Sequence, residues 1–179
     1  PELEAAWRRV NQGSKSSNYI FLPTGFQDSR VSRIVNETTV PHMVLRHSRP
    51  SDSTQLIQAL VDQGARVDTL VDSSGRTLAH EAVLLENRDI LEWLLEKEPS
   101  LIHCKNLWGD TLAHFAIKSR NRDTLAWLLE KEPSLVHSVD NKGRNLAYWA
   151  AMERKHDIFE WILKKEPSLI HDKQGATLA

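Results

Sequence analysis

The sequence predicts an all-α solenoid in which pairs of short antiparallel helices stack in layers and a loop projects from each layer. Three observations predict it. Gly75, Gly109 and Gly143 recur at an interval of thirty-four residues. Pro99, Pro133 and Pro167 keep the same interval. Between them, Arg76-Thr77-Leu78-Ala79-His80, Asp110-Thr111-Leu112-Ala113-His114 and Arg144-Asn145-Leu146-Ala147-Tyr148 hold equivalent places, each followed by a second apolar segment ending in Glu-Pro-Ser-Leu. A unit this short cannot bury its apolar face alone, so neighbouring copies must share one continuous core.

Within the unit from 75 to 108, Thr77 is an N-cap whose oxygen can accept an early helical N–H, and Leu78, Ala79, Ala82 and Val83 form the apolar face of a first helix. Asn87 and Asn121 are expected to take the left-handed backbone that reverses the chain. A second helix follows from Asp89, with Ile90, Leu91, Trp93, Leu94 and Leu95 on a broad apolar face. Pro99 cannot continue it, so the helix ends in Glu96-Lys97-Glu98 and Ser100 to Trp108 reads as a connecting stretch that turns at Gly109. Trp93, Trp127 and Trp161 recur in register and are expected in the core, each costing roughly 3 to 5 kcal/mol if cut to alanine.

These residues resemble the ankyrin repeat, which opens Gly-x-Thr-Pro-Leu-His and whose second helix ends in Leu-Leu. Leu60-Val61-Asp62-Gln63-Gly64-Ala65-Arg66-Val67-Asp68 is closer still to the family pattern, and Thr39-Val40-Pro41-His42 resembles a degenerate opening with extra residues around Arg49-Pro50-Ser51-Asp52. The resemblance implies an ankyrin-repeat solenoid over 37–179, with repeats at about 37–72, 73–106, 107–140 and 141–172, a partial one at 173–179, and projecting β-turn or hairpin loops. Leu78, Leu112 and Leu146 stand where the family has Pro, and Asn145 and Tyr148 replace Thr and His, which leaves open whether hydrogen bonding between adjacent openings continues there. His103, His137 and His171 sit where Asn is common, and the four positions from His171 to Gly175, against six from His103 to Gly109, shorten the last loop. Residues 1–36 fall outside the repeat. Leu3, Ala6, Trp7 and Val10 share one helical face, Gly13 to Asn18 reads as a loop, and the segment is an N-terminal helical cap or the tail of a preceding domain.

Composition narrows the function classes. With 40% hydrophobic and 26% charged residues the chain can build a core, and no run approaches the roughly 20 apolar residues of a membrane span. A single cysteine, Cys104, fits a reducing, cytoplasmic setting. The net charge is −1, and no basic stripe interleaved with aromatics points to nucleic acid. The chain starts at Pro1 without Met and stops just after opening another repeat, so both ends read as cut.

The eight histidines do not form a metal motif, since equivalent residues of stacked layers are roughly 8 to 10 Å apart while zinc ligands lie at about 2 Å. His80 and His114 are expected as hydrogen-bonded helix-opening residues. Cys104 neighbours His103 on an extended segment, where adjacent side chains diverge, so the two do not make a nucleophile–base pair. Glu98, Glu132 and Glu166 are a full layer apart and read as helix-end surface rather than a paired acid and base.

Two features break the period. Leu107 and Trp108 occupy a projecting loop whose neighbours carry Ser73-Ser74 and Asn141-Lys142. Trp149 is equivalent to Glu81 and Phe115, a position that the resemblance assigns to the concave groove. With Leu84 and Met152 the groove would carry Phe115 and Trp149, flanked by Glu81, Lys118 and Glu153, with Arg76, Asp110 and Arg144 beside the loops. The other reading packs Phe115 and Trp149 against their own loops. The expected function is that of a monomeric, non-catalytic module, without cofactor or metal, that binds a protein partner through the groove and loop tips. The alternative is a targeting or regulatory arm of a larger enzyme, or of a bacterial effector acting in a host cytosol, whose catalytic domain lies outside these residues.

Overall fold

The computed structural model describes residues 66–170, together with His42, Leu45, Arg46, Thr54, Gln55, Ile57, Gln58, Val61 and Asp62. The expected N-terminal segment 1–36 and the partial repeat 173–179 lie outside the described residues.

Each layer opens on an extended residue whose side chain or neighbour caps a seven-residue helix. Thr77 precedes α1 (Leu78–Leu84), Thr111 precedes α3 (Leu112–Lys118) and Asn145 precedes α5 (Leu146–Met152). In the first two, the N-cap backbone N–H donates to the imidazole three residues on, Thr77 to His80 Nδ1 at 3.1 Å and Thr111 to His114 Nδ1 at 3.1 Å. In the third, Asn145 Oδ1 accepts the Tyr148 N–H at 2.8 Å, so the cap survives the change of both residues.

The second helices are α2 (Arg88–Lys97), α4 (Arg122–Lys131) and α6 (His156–Lys165). The reversal before them is not made by asparagine. Glu86, Arg120 and Arg154 take the left-handed conformation, with φ of 55°, 59° and 55°. The N–H of the following residue returns to the first helix, Asn87 to the Ala82 carbonyl at 2.9 Å and Asn121 to that of Ala116 at 3.0 Å. This is a Schellman closure. Asn87 and Asn121 have negative φ and cap the second helix instead, accepting from the N–H of Ile90 and Thr124. A short polar side chain does more as a cap than in the left-handed slot, which a long charged residue fills with its head in solvent.

The connecting stretch begins as a 3-10 turn rather than a loop, at Pro99–His103, Pro133–His137 and Pro167–Ile170. The repeated Glu-Pro-Ser-Leu explains it. Glu98 and Glu132 accept from the N–H of Ser100 and Ser134, proline supplies a preset first position, and Leu101, Leu135 and Leu169 are buried anchors.

The first helices pack directly on one another through Ala79, Ala82, Ala113, Ala116, Ala147 and Ala150, all fully buried, while each second helix packs mainly on its own layer's first helix. Trp127 is buried in this outer layer, but Trp93 and Trp161 are only half-buried, which corrects their placement as core. Their rings lie under basic side chains, with Lys97 5.9 Å from Trp93 and Lys165 4.9 Å from Trp161.

Each projecting loop is closed by one antiparallel bridge, Val71 with Thr77, Lys105 with Thr111 and Val139 with Asn145. The loops are also tied to each other. The Leu107 N–H donates to the Ser74 carbonyl at 3.0 Å, and the Asn141 N–H to the Trp108 carbonyl at 2.9 Å. Gly109 has φ of 82°, and a Cβ there would sit 2.7 Å from the Asn141 nitrogen, whereas one on Gly75 would meet Leu107 at 3.1 Å. Gly109→Ala is therefore expected to destabilise the array by about 1 to 3 kcal/mol, and more than Gly75→Ala, as read from urea denaturation midpoints.

Candidate interaction surface

The loop flank and the first helices form one surface, and the structure divides the sequence-predicted residues on it into two groups. Leu107 and Trp108 stand out at the tip of the middle loop, 66% and 56% exposed. Their backbone is held on both sides by the neighbouring loops, and the Asn141 side-chain amide donates to the Leu107 carbonyl at 2.8 Å. Within the loop, Asn106 Oδ1 accepts from the N–H of Trp108 and Asp110, both at 2.9 Å. Met152 is also exposed and Leu84 partly so, at the ends of α5 and α1.

Phe115 and Trp149 belong to the other group. The sequence places them as open groove aromatics, but Phe115 is 2% exposed and Trp149 4%. The His80 ring meets Phe115 edge-on at 4.7 Å, and His114 meets Trp149 edge-on at 5.5 Å. Trp149 Nε1 donates to Asp140 Oδ2 at 3.1 Å, so the indole is fixed against its own loop. Lys118 Nζ and the Arg144 guanidinium cover it, 4.6 Å and 5.0 Å from the ring centre. These two aromatics are therefore buried beneath Lys118 and Arg144 rather than open in a groove. Glu81 is buried as well, its carboxylate gripped by the Arg46 guanidinium through Nε and, at 2.8 Å, through Nη2.

Charge at the loop bases follows a pattern that the sequence reading did not find. In the first and third loops a buried Asp pairs with an Arg four residues on, Asp72 with Arg76 and Asp140 with Arg144, both at 2.6 Å. Burial pulls these two carboxyls up, but the guanidinium and loop N–H groups more than offset it and hold both below the usual range. The middle loop has Asn106 and Asp110 in those places, and Asp110 takes its cation from helix α3 instead, with Lys118 Nζ at 3.5 Å from Oδ2. Asp110 Oδ1 is buried without a hydrogen-bond partner. The signal was present in the sequence as Asp-Arg, Asn-Asp, Asp-Arg at one register.

The imidazoles lie beneath this surface. His80 Nε2 is 3.3 Å from the Asp110 carbonyl in the next layer, and His42 Nε2 is 2.9 Å from that of Arg76. Burial pushes His80 and His114 down to about 4. Cys104 turns inward to Thr77 Oγ1 at 3.3 Å and lies 3.6 Å from His80 Nδ1, while His103 is exposed and 3.5 Å from Glu132. Burial pushes the Cys104 thiol up to about 11. A thiol raised beside an imidazole lowered is the reverse of a thiolate–imidazolium nucleophile. Among the described residues no group of three or more His, Cys, Asp or Glu could hold a metal ion, and no helix is long and apolar enough to cross a membrane.

Two outcomes follow for solution. Trp149→Ala is expected to cost about 3 to 5 kcal/mol and to lower the thermal midpoint. Stability should also fall with acid in a defined window. Above pH 6.5 His80 and His114 are neutral folded or unfolded; between 6.5 and about 4 the unfolded chain binds protons that the folded chain does not, so stability is lost as pH falls. Each buried imidazole can contribute on the order of 3 kcal/mol to that loss, and His80→Gln should flatten the denaturation profile between pH 7 and pH 4.

Comparison with known proteins agrees with this architecture. Family models described as ankyrin repeats (3 copies) and ankyrin repeats (many copies) match residues 98–173 and 44–95. No curated protein matches the sequence. Among solved structures, the ankyrin repeat domain of Bcl-3, a member of the IkappaB protein family, is similar at 23% identity with a TM-score of 0.65, over 98% of this chain and 72% of that one. A structure of the predatory endopeptidase Bd0816 from Bdellovibrio bacteriovorus in complex with immunity protein Bd3460 contains a chain similar at 23% identity with a TM-score of 0.61. That match covers 72% of this chain, and this chain spans 64% of that one. At such identities the likeness is one of fold, and with the family match over most of its length the chain belongs to the ankyrin repeat family.

Proposed function

We propose that this chain is a non-catalytic, monomeric binding module that holds a protein partner against the loop tips and the first-helix surface. Ankyrin repeats generally mediate protein–protein interaction, and one of the similar structures is a complex between an endopeptidase and an immunity protein. The observation that carries the reading is the Leu107–Trp108 tip. An exposed indole and leucine are placed where the neighbouring loops have polar tips, on backbone already anchored at both sides. Such a group loses little freedom on binding, so more of its apolar burial appears as affinity.

Contacts then extend from the tip across Leu84, Met152 and Glu153 and the outward heads of Arg76, Lys118 and Arg144. Phe115 and Trp149 act by holding Lys118 and Arg144 in place. The inward, high-pKa Cys104 thiol suits a reducing cytoplasm, where no disulfide is required of it.

Trp108→Ala should leave the thermal midpoint within about 1 °C of wild type, because an exposed side chain contributes little to folding, and should deplete captured proteins in an affinity pull-down from cytosolic lysate read by mass spectrometry. Identical captured sets from the two proteins would remove the loop tip from the interface.

A further inference from the structure

The four charge pairs on the proposed surface are stacked with the same polarity. In Arg46–Glu81, Arg76–Asp72, Lys118–Asp110 and Arg144–Asp140, the basic side chains are 23% to 34% exposed and the acidic ones 0% to 2%. Each pair is neutral as a whole, yet a molecule approaching the surface meets only the cationic ends.

The cations also come one per layer, by alternation of two sites. Arg46 and Lys118 hold the same register, four residues after the opening imidazole, where the intervening layers carry Leu84 and Met152. Arg76 and Arg144 occupy the loop base, where the Lys118 layer carries Asp110. When one site lacks a cation the other supplies it. The cations neighbour one another in two pairs, since Lys118 and Arg144 lie on the same Trp149 ring, and the Arg46 guanidinium feels the charge of Asp72, the partner of Arg76. Between the cations stand apolar Leu84 and Met152, with Arg144 Nη1 3.5 Å from Met152 Sδ. Half-buried Glu153 is the acidic exception at the end of α5.

We propose that the partner presents an extended acidic segment that runs across the layers, with one carboxylate for each of Arg46, Arg76, Lys118 and Arg144 and apolar residues between. Stacked helices repeat at roughly 8 to 10 Å and an extended chain advances about 3.3 Å per residue. The matching segment therefore carries Asp or Glu at about every third position. Nucleic acid fits less well, because a sugar–phosphate backbone offers nothing apolar to Leu84 and Met152 between the cations. This inference rests on the protein-binding reading above and specifies the chemistry of its partner.

The test is selection of a random twelve-residue phage-displayed peptide library on the whole chain, followed by anisotropy measurements on synthetic forms of the enriched peptides. Enriched sequences should carry acids three apart. Replacing those acids by Gln or Asn should weaken binding at least about tenfold, the scale of a single charge-assisted contact, and the double variant Lys118→Met with Asp110→Asn, which leaves no orphan carboxylate, should lower the salt sensitivity of binding by about a quarter, the share of one cation in four. Enriched peptides that lack acids but still need Trp108 would overturn the acidic partner and leave the binding surface standing. Absence of any enrichment, or tighter binding of a fluorescent poly-dT oligonucleotide than of any peptide, would overturn both.

Discussion

The layered architecture hangs on an imidazole that opens each of the first three repeats, at His42, His80 and His114. His80 receives the Thr77 N–H on one nitrogen and reaches the next layer's Asp110 carbonyl with the other, so a single ring starts a helix and fixes the neighbouring loop. His42 makes the same cross-layer bond to Arg76. Both roles require a neutral ring with both nitrogens occupied, which leaves no lone pair for a metal and no free base for catalysis. His114 faces the next layer's Arg144 carbonyl in the same way but more loosely, and in the fourth unit Tyr148 replaces the ring and Asn145 takes over the cap. The device weakens along the chain while the stacking of small first-helix residues continues.

That constraint sets what the surface can be. Because the helix openings and alanine faces serve stacking, the surface is shaped by loop tips, loop bases, helix ends and the mid-helix position of Glu81, Phe115 and Trp149. There the chain has placed an apolar tip, a column of outward cations and two aromatic rings that support those cations from below. Phe115 and Trp149 make the point. They hold irregular positions in the repeat, yet the structure uses them to fasten Lys118 and Arg144, so irregularity here marks what shapes the surface as well as what touches a partner.

Much of the fold was legible because a period needs no energetics to be seen. The glycines, the Glu-Pro-Ser-Leu ends and the Leu-Ala-His openings named the layers. The reversal residue was misread because asparagine has two local uses, left-handed backbone and N-cap, and only the geometry shows that Glu86 and Arg120 fill the first. The 3-10 turn was missed although Glu98 before Pro99 is a capping signal. At the site, the exposed pair Leu107–Trp108 could be read from its polar neighbours. Burial of Phe115 and Trp149 could not, since it depends on rings one layer away, at His80 and His114. The alternation of cations escaped because each pair is unremarkable within its own repeat and acquires meaning only when layers are laid side by side.

The loops' bonds to one another carry a last consequence. Ser74, Leu107, Trp108 and Asn141 are joined through their main chains, so what is fixed is the number of residues in each loop, while the identity of the tip side chains is left open. New specificities can therefore arise on this scaffold by point substitution at the tips, whereas an inserted or deleted residue would unhook two neighbours together. Change in recognition and change in architecture run on separate tracks.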